Sequence, residues 1–144
     1  MSKNKKKNSP QQAVSMPIAG IGHNNPPPEI YAGKMAVIGS RTFQNFRFLC
    51  DILDKYLKDV TELISGGADG ADKMGARWAR KRGIPTRVFE PNHKKYKHAY
   101  HHRNRLIAEA CDFVIALWDG SSTGTKYTID YARRIGKPVL IVRF

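Results

Sequence analysis

The sequence predicts an α/β fold, a Rossmann-like open parallel sheet of five strands with helices on both faces. Two observations carry this prediction. From Lys34 onward, short and almost continuously apolar runs alternate with segments of helical periodicity. Strands that are apolar on both faces are typical of parallel sheets covered by helices. Right-handed crossovers between such strands then produce a layered sandwich.

The predicted strands are short apolar runs, several of which are followed by glycine or hydroxyl residues. They are MAVIG (35–39), ELIS (62–65), TRVFE (86–90), DFVIALW (112–118) and PVLIVRF (138–144). The spacing between them leaves room for one helix in each connection, as a parallel sheet requires.

The predicted helices fill these connections. The first spans 45–59 because its apolar residues fall at helical spacing; they are Phe46, Leu49, Ile52, Leu53, Tyr56 and Leu57. The second spans 71–83 and ends at Gly83, before Pro85. The third lies within 95–111, at least from His102, and the fourth spans 125–136.

The chain divides into a tail and one domain. Residues 1–32 are predicted to form a flexible basic and proline-rich tail, and residues 33–144 a domain long enough for a substantial core. The formal charge is +13, of which +3 belongs to the tail and +10 to the remainder. This excess favours phosphate-bearing partners, either a nucleotide or a nucleic acid, and the basic tail favours nonspecific nucleic-acid binding.

Other classes of protein and site fit the sequence poorly. Cys50 and Cys111 lie in no metal-binding or disulfide pattern, and His98, His101 and His102 lack further ligands at zinc spacing. The sequence shows no signal-peptide core and no membrane-length apolar run. We therefore expect a cytoplasmic protein with no metal and no required cofactor. The sequence leaves open whether the chain forms a homodimer or a larger homo-oligomer.

Three unusual loops, 39–43, 65–72 and 118–125, each follow a predicted strand and lead towards a helix. Open parallel sheets bind ligands at the carboxyl edge, where glycine permits close approach and helix N-termini attract anions. We predict a nucleotide-like ligand at this edge. Its predicted contacts are Gly39, Ser40, Arg41, Ser65, Gly66, Gly67, Ala68, Asp69, Gly70, Asp72, Arg103, Asn104, Ser122, Thr123, Gly124 and Thr125.

Three residues are candidates for catalysis. Asp72 and Asp119 lie in the loops, where each either caps a helix or turn or serves as a ribose acceptor or base. Arg103 opens the helix that leads into the fourth strand. These three form the candidate catalytic set.

Together, GSR (39–41), SGGADGAD (65–72), RN (103–104), CDFVIALWDG (111–120) and STGT (122–125) resemble the SLOG superfamily. This superfamily is named after the Smf/DprA proteins and the LOG enzymes. The sequence is most similar to its small, stand-alone YspA-like proteins, related to cpYpsA. The resemblance extends over residues 34–144 and implies a Rossmann-like domain that binds a nucleotide or nucleotide derivative. The segment IGHNNPPPE is similar to segments of phage-encoded proteins.

The resemblance also bears on catalysis. LOG enzymes hydrolyse the N-glycosidic bond of nucleoside 5′-monophosphates with a PGGxGTxxE motif and an upstream arginine. Arg103 stands in the place of that arginine, and Gly124 and Thr125 match GT. The glutamate is absent, since Tyr127 and Thr128 follow instead. Because a carboxylate stabilises the developing ribosyl cation, we expect slow hydrolysis or none.

Two functions therefore stay open. The first is a nucleotide-binding domain that acts as a sensor, a sequestering protein or a weak N-glycosidic hydrolase. The alternative is a DprA-like module that binds single-stranded nucleic acid. Stacking residues for that alternative would come from Trp78, Tyr96, Tyr100 and Trp118, but we predict that most of these belong to the core.

Overall fold

The computed structural model describes residues 31–144. The predicted tail lies outside these residues except for its last two positions. The IGHNNPPPE segment lies outside them entirely.

Five strands and four helices alternate along the described chain, as the apolar runs predict. The strands are β1 (Tyr31–Gly39), β2 (Leu57–Ser65), β3 (Thr86–Val88), β4 (Phe113–Trp118) and β5 (Val139–Arg143). The helices are α1 (Phe46–Tyr56), α2 (Ala71–Lys81), α3 (Ala99–Ala110) and α4 (Thr123–Arg134).

The five strands form one parallel sheet in the order β3-β2-β1-β4-β5. The predicted Rossmann-like fold is confirmed. Strand order reverses between β1 and β4, so the crossovers run outward in opposite directions from this pair. Their carboxyl ends diverge into separate loops, which leaves a crevice at the edge of the sheet.

The core lies on both faces of the sheet. Met35 and Val37 of β1 pack on one face with buried residues of α1 and α2, including Trp78, as predicted for that tryptophan. Ala36 and Ile38 pack on the other face with buried residues of α3 and α4. Successive β1 residues therefore pack against opposite layers of helices, which explains why this part of the strand is apolar and does not alternate with polar residues.

The observed element boundaries differ most from the predicted ones where pairing between distant strands overrides the local periodicity of the sequence. The predicted first helix extended to residue 59, but α1 ends at Tyr56, and Leu57 already begins β2. Leu57 has helical spacing in the sequence, yet it pairs with Tyr31 in the parallel ladder. The prediction of helix at Leu57 was wrong for this reason, and both β1 and β2 begin earlier than the predicted strands.

Candidate functional site

A cleft of about 650 Å³ opens at the carboxyl edge of the sheet, at the point where the strand order reverses. It lies between the ends of β1 and β4, the first turns of α2 and α3, and the N-terminus of α4. This volume lies within the range of small-molecule sites.

Most of the predicted site residues meet in this cleft. Its lining includes Gly39, Ser40, Arg41, Ala68, Asp72, Arg103, Asn104, Asp119, Ser122, Thr123, Gly124 and Thr125. Six further residues line it that lie outside the predicted contact set: Ile38, Tyr100, His101, Ile107, Ser121 and Thr128. The predicted residues Ser65, Gly66, Gly67, Asp69 and Gly70 do not line it.

The floor of the cleft is closed where β1 passes β4. A Cβ at Gly39 would overlap the carbonyl oxygen of Leu117, so only glycine fits there. The buried Ser40 donates its N–H to the same carbonyl at 2.9 Å, and its Oγ accepts the N–H of Asp119 at 3.1 Å. The first and third predicted loops are thereby joined directly.

The second predicted loop satisfies its own N–H groups. Oδ2 of Asp72 accepts the N–H of Gly66 at 3.1 Å and that of Ala68 at 3.4 Å. The Oγ of Ser65 accepts the N–H of Gly67 at 3.0 Å. These donors are therefore already occupied, and the loop does not present a free row of N–H groups to an anion.

The glycines of this loop have packing roles. Gly70 precedes α2 with a φ of 80°, and a Cβ there would stand 2.5 Å from the carbonyl oxygens of Ser40 and Arg41. Gly67 also has positive φ, at 74°. A Cβ on Gly66 would stand 2.9 Å from both Nη1 of Arg103 and Oδ2 of Asp72. The glycines thus let the loop pack against β1 and against a buried charged pair of residues.

Asp72 is a buried carboxylate, 6% exposed, in the first turn of α2. Burial raises its pKa to about 6, and the two N–H groups and the charges of Arg103 and Arg41 oppose that rise. Helix α2 has no side-chain cap, so the alternative of Asp72 as an N-cap was wrong. Asp72 instead holds the 66–68 loop and lines the cleft.

Arg103 lies on the other side of Gly66 and is 7% exposed. Its Nη1 donates to the carbonyl oxygens of Gly66, at 2.7 Å, and Phe89, at 3.3 Å, and its Nε donates to Oδ1 of Asn104. Burial lowers the pKa of Arg103, and the charge of Asp72 partly offsets this effect. No bond within residues 31–144 uses Nη2, which leaves that donor for a ligand.

The third predicted loop forms the N-terminus of α4. Oδ1 of Asp119 accepts the N–H groups of Ser121 and Ser122, at 2.8 and 2.9 Å, and these bonds lower its pKa. Ser122 caps the helix by accepting the N–H of Thr125. Asp119 therefore shapes the turn, as its alternative role predicted, while also lining the cleft.

The beginning of α4 is open to a ligand. Within residues 31–144, no acceptor bonds the N–H groups of Thr123 and Gly124. A Cβ at Gly124 would meet nothing within 4 Å. Free N–H groups and the positive end of the helix dipole make such a position suitable for phosphate.

Aromatic residues of α3 form one wall of the cleft. Tyr100 is 49% exposed, so it is not one of the aromatic residues that belong to the core. His101 stacks on Tyr127 of α4 with ring centroids 4.2 Å apart. Tyr100 lies three residues before Arg103 on the same helical face. That spacing could have placed Tyr100 at the site once Arg103 was a candidate.

The position of the LOG glutamate is occupied by a buried neutral residue. Thr128 is 2% exposed, lines the cleft and donates its hydroxyl to the carbonyl oxygen of Gly124. Asp130 is directed elsewhere, because it pairs with Lys126 at 2.7 Å and is 54% exposed. Asp130 does not line the cleft and cannot replace the glutamate there.

Residues 31–144 contain neither a candidate metal-binding cluster nor a membrane-spanning helix. No group of three or more His, Cys, Asp or Glu side chains lies close enough to hold a metal ion. None of the four helices is long and apolar enough to cross a membrane.

Comparison with known proteins confirms the resemblance to the SLOG superfamily. Residues 34–96 match the family model of YAcAr, the YspA, cpYpsA-related SLOG family. Loops 39–43 and 65–72 lie inside this match, and residues 103–104 and 118–125 lie beyond it. No curated protein matches the chain.

Among solved structures, DNA processing protein A (DprA) from Streptococcus pneumoniae is similar to this chain, with a TM-score of 0.60 and 21% sequence identity. The match covers 78% of this chain and 50% of that protein, so this chain spans about half its length. The shared feature at this identity is the fold.

Proposed function

We propose that this chain, which has the sequence features and the fold of the SLOG superfamily, binds a nucleotide or nucleotide-derived ligand in the cleft. The observation that carries the proposal is convergence at one crevice. Arg41, Arg103 and the open N-terminus of α4 all line it, at the reversal of strand order. Two guanidinium groups and a helix N-terminus in one cleft are suited to a phosphate.

The phosphate belongs at α4 in this proposal. The N–H groups of Gly66, Gly67 and Ala68 already bond Asp72 and Ser65, whereas those of Thr123 and Gly124 bond no described acceptor. Arg41 is exposed at the cleft, and its charge acts on both Asp72 and Arg103, so it stands close to them. The family-like GGADG loop then supports the site and the STGT loop contacts the anion.

Binding without rapid turnover fits the carboxylates of the cleft best. Thr128 places a hydroxyl where LOG enzymes have their glutamate, and Asp119 is engaged by its own turn. Asp72 is the better placed candidate acid or base because its pKa of about 6 is near neutrality. Its Oδ2 nevertheless holds two N–H groups, which favours a structural role. We therefore favour a sensor or sequestering protein over a hydrolase.

Gly124→Val is expected to weaken nucleotide binding tenfold or more, on the order of 1.4 kcal/mol, because the side chain would cover the open N–H groups of α4. The fold should be unaffected, since a Cβ there meets nothing within 4 Å. Isothermal titration calorimetry with mono-, di- and cyclic nucleotides measures the affinity, and thermal melting monitors the fold.

Gly124→Ala provides a graded comparison, with a smaller loss expected for its single methyl group. If Gly124→Val binds nucleotides as tightly as the unaltered chain, the anion does not lie at α4 and the proposal is wrong. Chromatography of the same mixtures for free base shows whether binding is followed by hydrolysis.

A second candidate function, binding of single-stranded nucleic acid, is favoured by the surface before α3. Lys94, Lys95 and Lys97 are exposed there, and the Tyr96 ring stacks on His102 with centroids 3.7 Å apart. Basic side chains interleaved with aromatic rings are typical of surfaces that bind single strands. This surface adjoins the cleft through Tyr100, which contacts His93 and lines the cleft.

For this candidate, the triple variant Lys94→Ala, Lys95→Ala and Lys97→Ala is expected to flatten the salt dependence of oligonucleotide binding. Loss of three phosphate contacts reduces the log–log slope by about 2. Fluorescence anisotropy with a labelled single strand, in a series of salt concentrations, measures this slope.

A matched triple variant of the exposed Lys55, Lys58 and Lys81 removes the same charge elsewhere. Equal losses in both triples would show that only net charge matters and would contradict a nucleic-acid surface at 94–97. Deletion of residues 1–30 tests the tail in the same assay.

A further inference from the structure

We propose that the ring of Tyr100 is the platform on which the nucleobase of a bound mononucleotide stacks. This inference rests on the proposed nucleotide function and specifies which part of the ligand the α3 wall recognises. Tyr100 lies in the first turn of α3 and lines the cleft. It thereby extends the site from an anion site to one that recognises a base.

The exposure of Tyr100 is the first observation. Among residues 31–144 the exposed large hydrophobic side chains are Val88, Tyr100, Ile135 and Phe144, and of these Tyr100 alone lines this cleft. A large aromatic ring left half in water loses the burial energy that usually retains it in a fold. Stacking on a base recovers that energy in the bound state, because every base has an apolar face.

Two neighbouring side chains contact the Tyr100 ring. The His93 ring meets it edge-on, with centroids 4.9 Å apart and an interplanar angle of 74°. The Arg103 guanidinium lies 5.6 Å from the ring centroid. No hydrogen bond within residues 31–144 uses the Tyr100 hydroxyl, so ring contacts position this side chain. A ring fixed in this way binds a flat group with little loss of conformational entropy.

The rest of the cleft matches a nucleotide. Ile38 and Ile107, both almost fully buried, contribute an apolar surface that an inorganic anion would not need. His101, stacked on Tyr127, supplies a second aromatic surface next to Tyr100. The open N–H groups of α4 and the Tyr100 ring of α3 line one cavity, with Arg103 next to the ring, and a mononucleotide carries a phosphate and a base that match them.

A purely structural role for Tyr100 makes a different prediction. If Tyr100 only shields Arg103 by the cation–π contact, its loss should weaken every phosphate ligand equally. If it stacks on a base, its loss should weaken only ligands that carry one. Ribose 5-phosphate and the four nucleoside 5′-monophosphates separate these two roles.

The test uses the full chain and compares Tyr100→Leu with the control Tyr100→Phe by calorimetry. We expect Tyr100→Leu to bind AMP, GMP, CMP and UMP roughly 5- to 100-fold more weakly, the loss of one base–aromatic stack. Ribose 5-phosphate should bind as it does to the unaltered chain. Tyr100→Phe should retain nucleotide affinity, since the hydroxyl makes no bond within residues 31–144.

Four results would overturn the inference. Unchanged AMP affinity in Tyr100→Leu would remove the ring from the site, and equal weakening of AMP and ribose 5-phosphate would make it a support for Arg103. An unaltered chain that binds ribose 5-phosphate as tightly as AMP would have no base subsite, although its anion site would stand. A chain that binds none of these ligands would contradict both this inference and the proposed function.

Discussion

Arg103→Ala is expected to destabilise the domain by about 2–4 kcal/mol and to abolish nucleotide binding. The buried guanidinium bonds the carbonyl oxygens of Gly66 and Phe89, and a buried acceptor left without its donor costs about 1–3 kcal/mol. Its removal also takes from Asp72 the stronger of two nearby positive charges and leaves only that of Arg41. Urea unfolding measures the loss of stability, and calorimetry with nucleotides measures the loss of binding.

Arg105→Ala is the matched control for this variant. It removes the same charge from the same helix, but Arg105 bonds only the hydroxyl of Tyr127 among the described residues. We expect Arg105→Ala to destabilise the domain much less than Arg103→Ala does. Equal stability of the two variants would mean that Arg103 does not hold the 66–68 loop to the segment around Phe89.

Asp72→Asn is expected to stabilise the folded domain above pH 6 and to leave its stability unchanged below pH 4. The folded-state pKa of Asp72 is about 6, above its ordinary value of 3.8, so the folded state holds this proton more tightly than the unfolded state. Stability therefore falls as pH rises from about 4 to about 6, and the difference is constant at higher pH. The shift corresponds to about 3 kcal/mol.

Urea unfolding between pH 4 and pH 8 measures this effect. The amide oxygen of the asparagine can still accept the N–H of Gly66, so the loop should keep its shape. Asp69→Asn is the control, because Asp69 is exposed and pairs with Lys73, and its pKa is lowered. Its contribution is lost only as pH falls below about 4, so it should leave the slope between pH 4 and 6 unchanged. A steep slope in Asp72→Asn would contradict the assignment to Asp72.

These two variants test one structural unit. Asp72 and Arg103 lie on either side of Gly66, and both bond its backbone, one at the N–H and the other at the carbonyl oxygen. The absence of a side chain at Gly66 is what lets two opposite charges approach the loop. The glycine-rich segment thereby supports the cleft, and the proposed function assigns the anion to α4, Arg41 and Arg103.

The sequence by itself determined the layers of the fold and the edge of the sheet that carries the cleft. Both follow from local patterns. Apolar runs such as DFVIALW and helical spacing such as that of Phe46, Leu49 and Leu53 depend only on nearby residues, and parallel strands place their following loops at one edge. These patterns predicted twelve of the residues that line the cleft, among them Ser40, Asp72 and Arg103.

Only the tertiary structure decided how those residues are used. Whether the N–H of Gly66 is free for a ligand depends on Asp72, and the orientation of Arg103 depends on a carbonyl 37 residues away. The end of α1 at Tyr56 depends on the pairing of Leu57 with Tyr31. Tyr100 is an aromatic residue, yet it is 49% exposed and lines the cleft from the first turn of α3. Contacts that local spacing does not reveal set the first three outcomes, whereas the spacing of Tyr100 from Arg103 already places both on one face of α3.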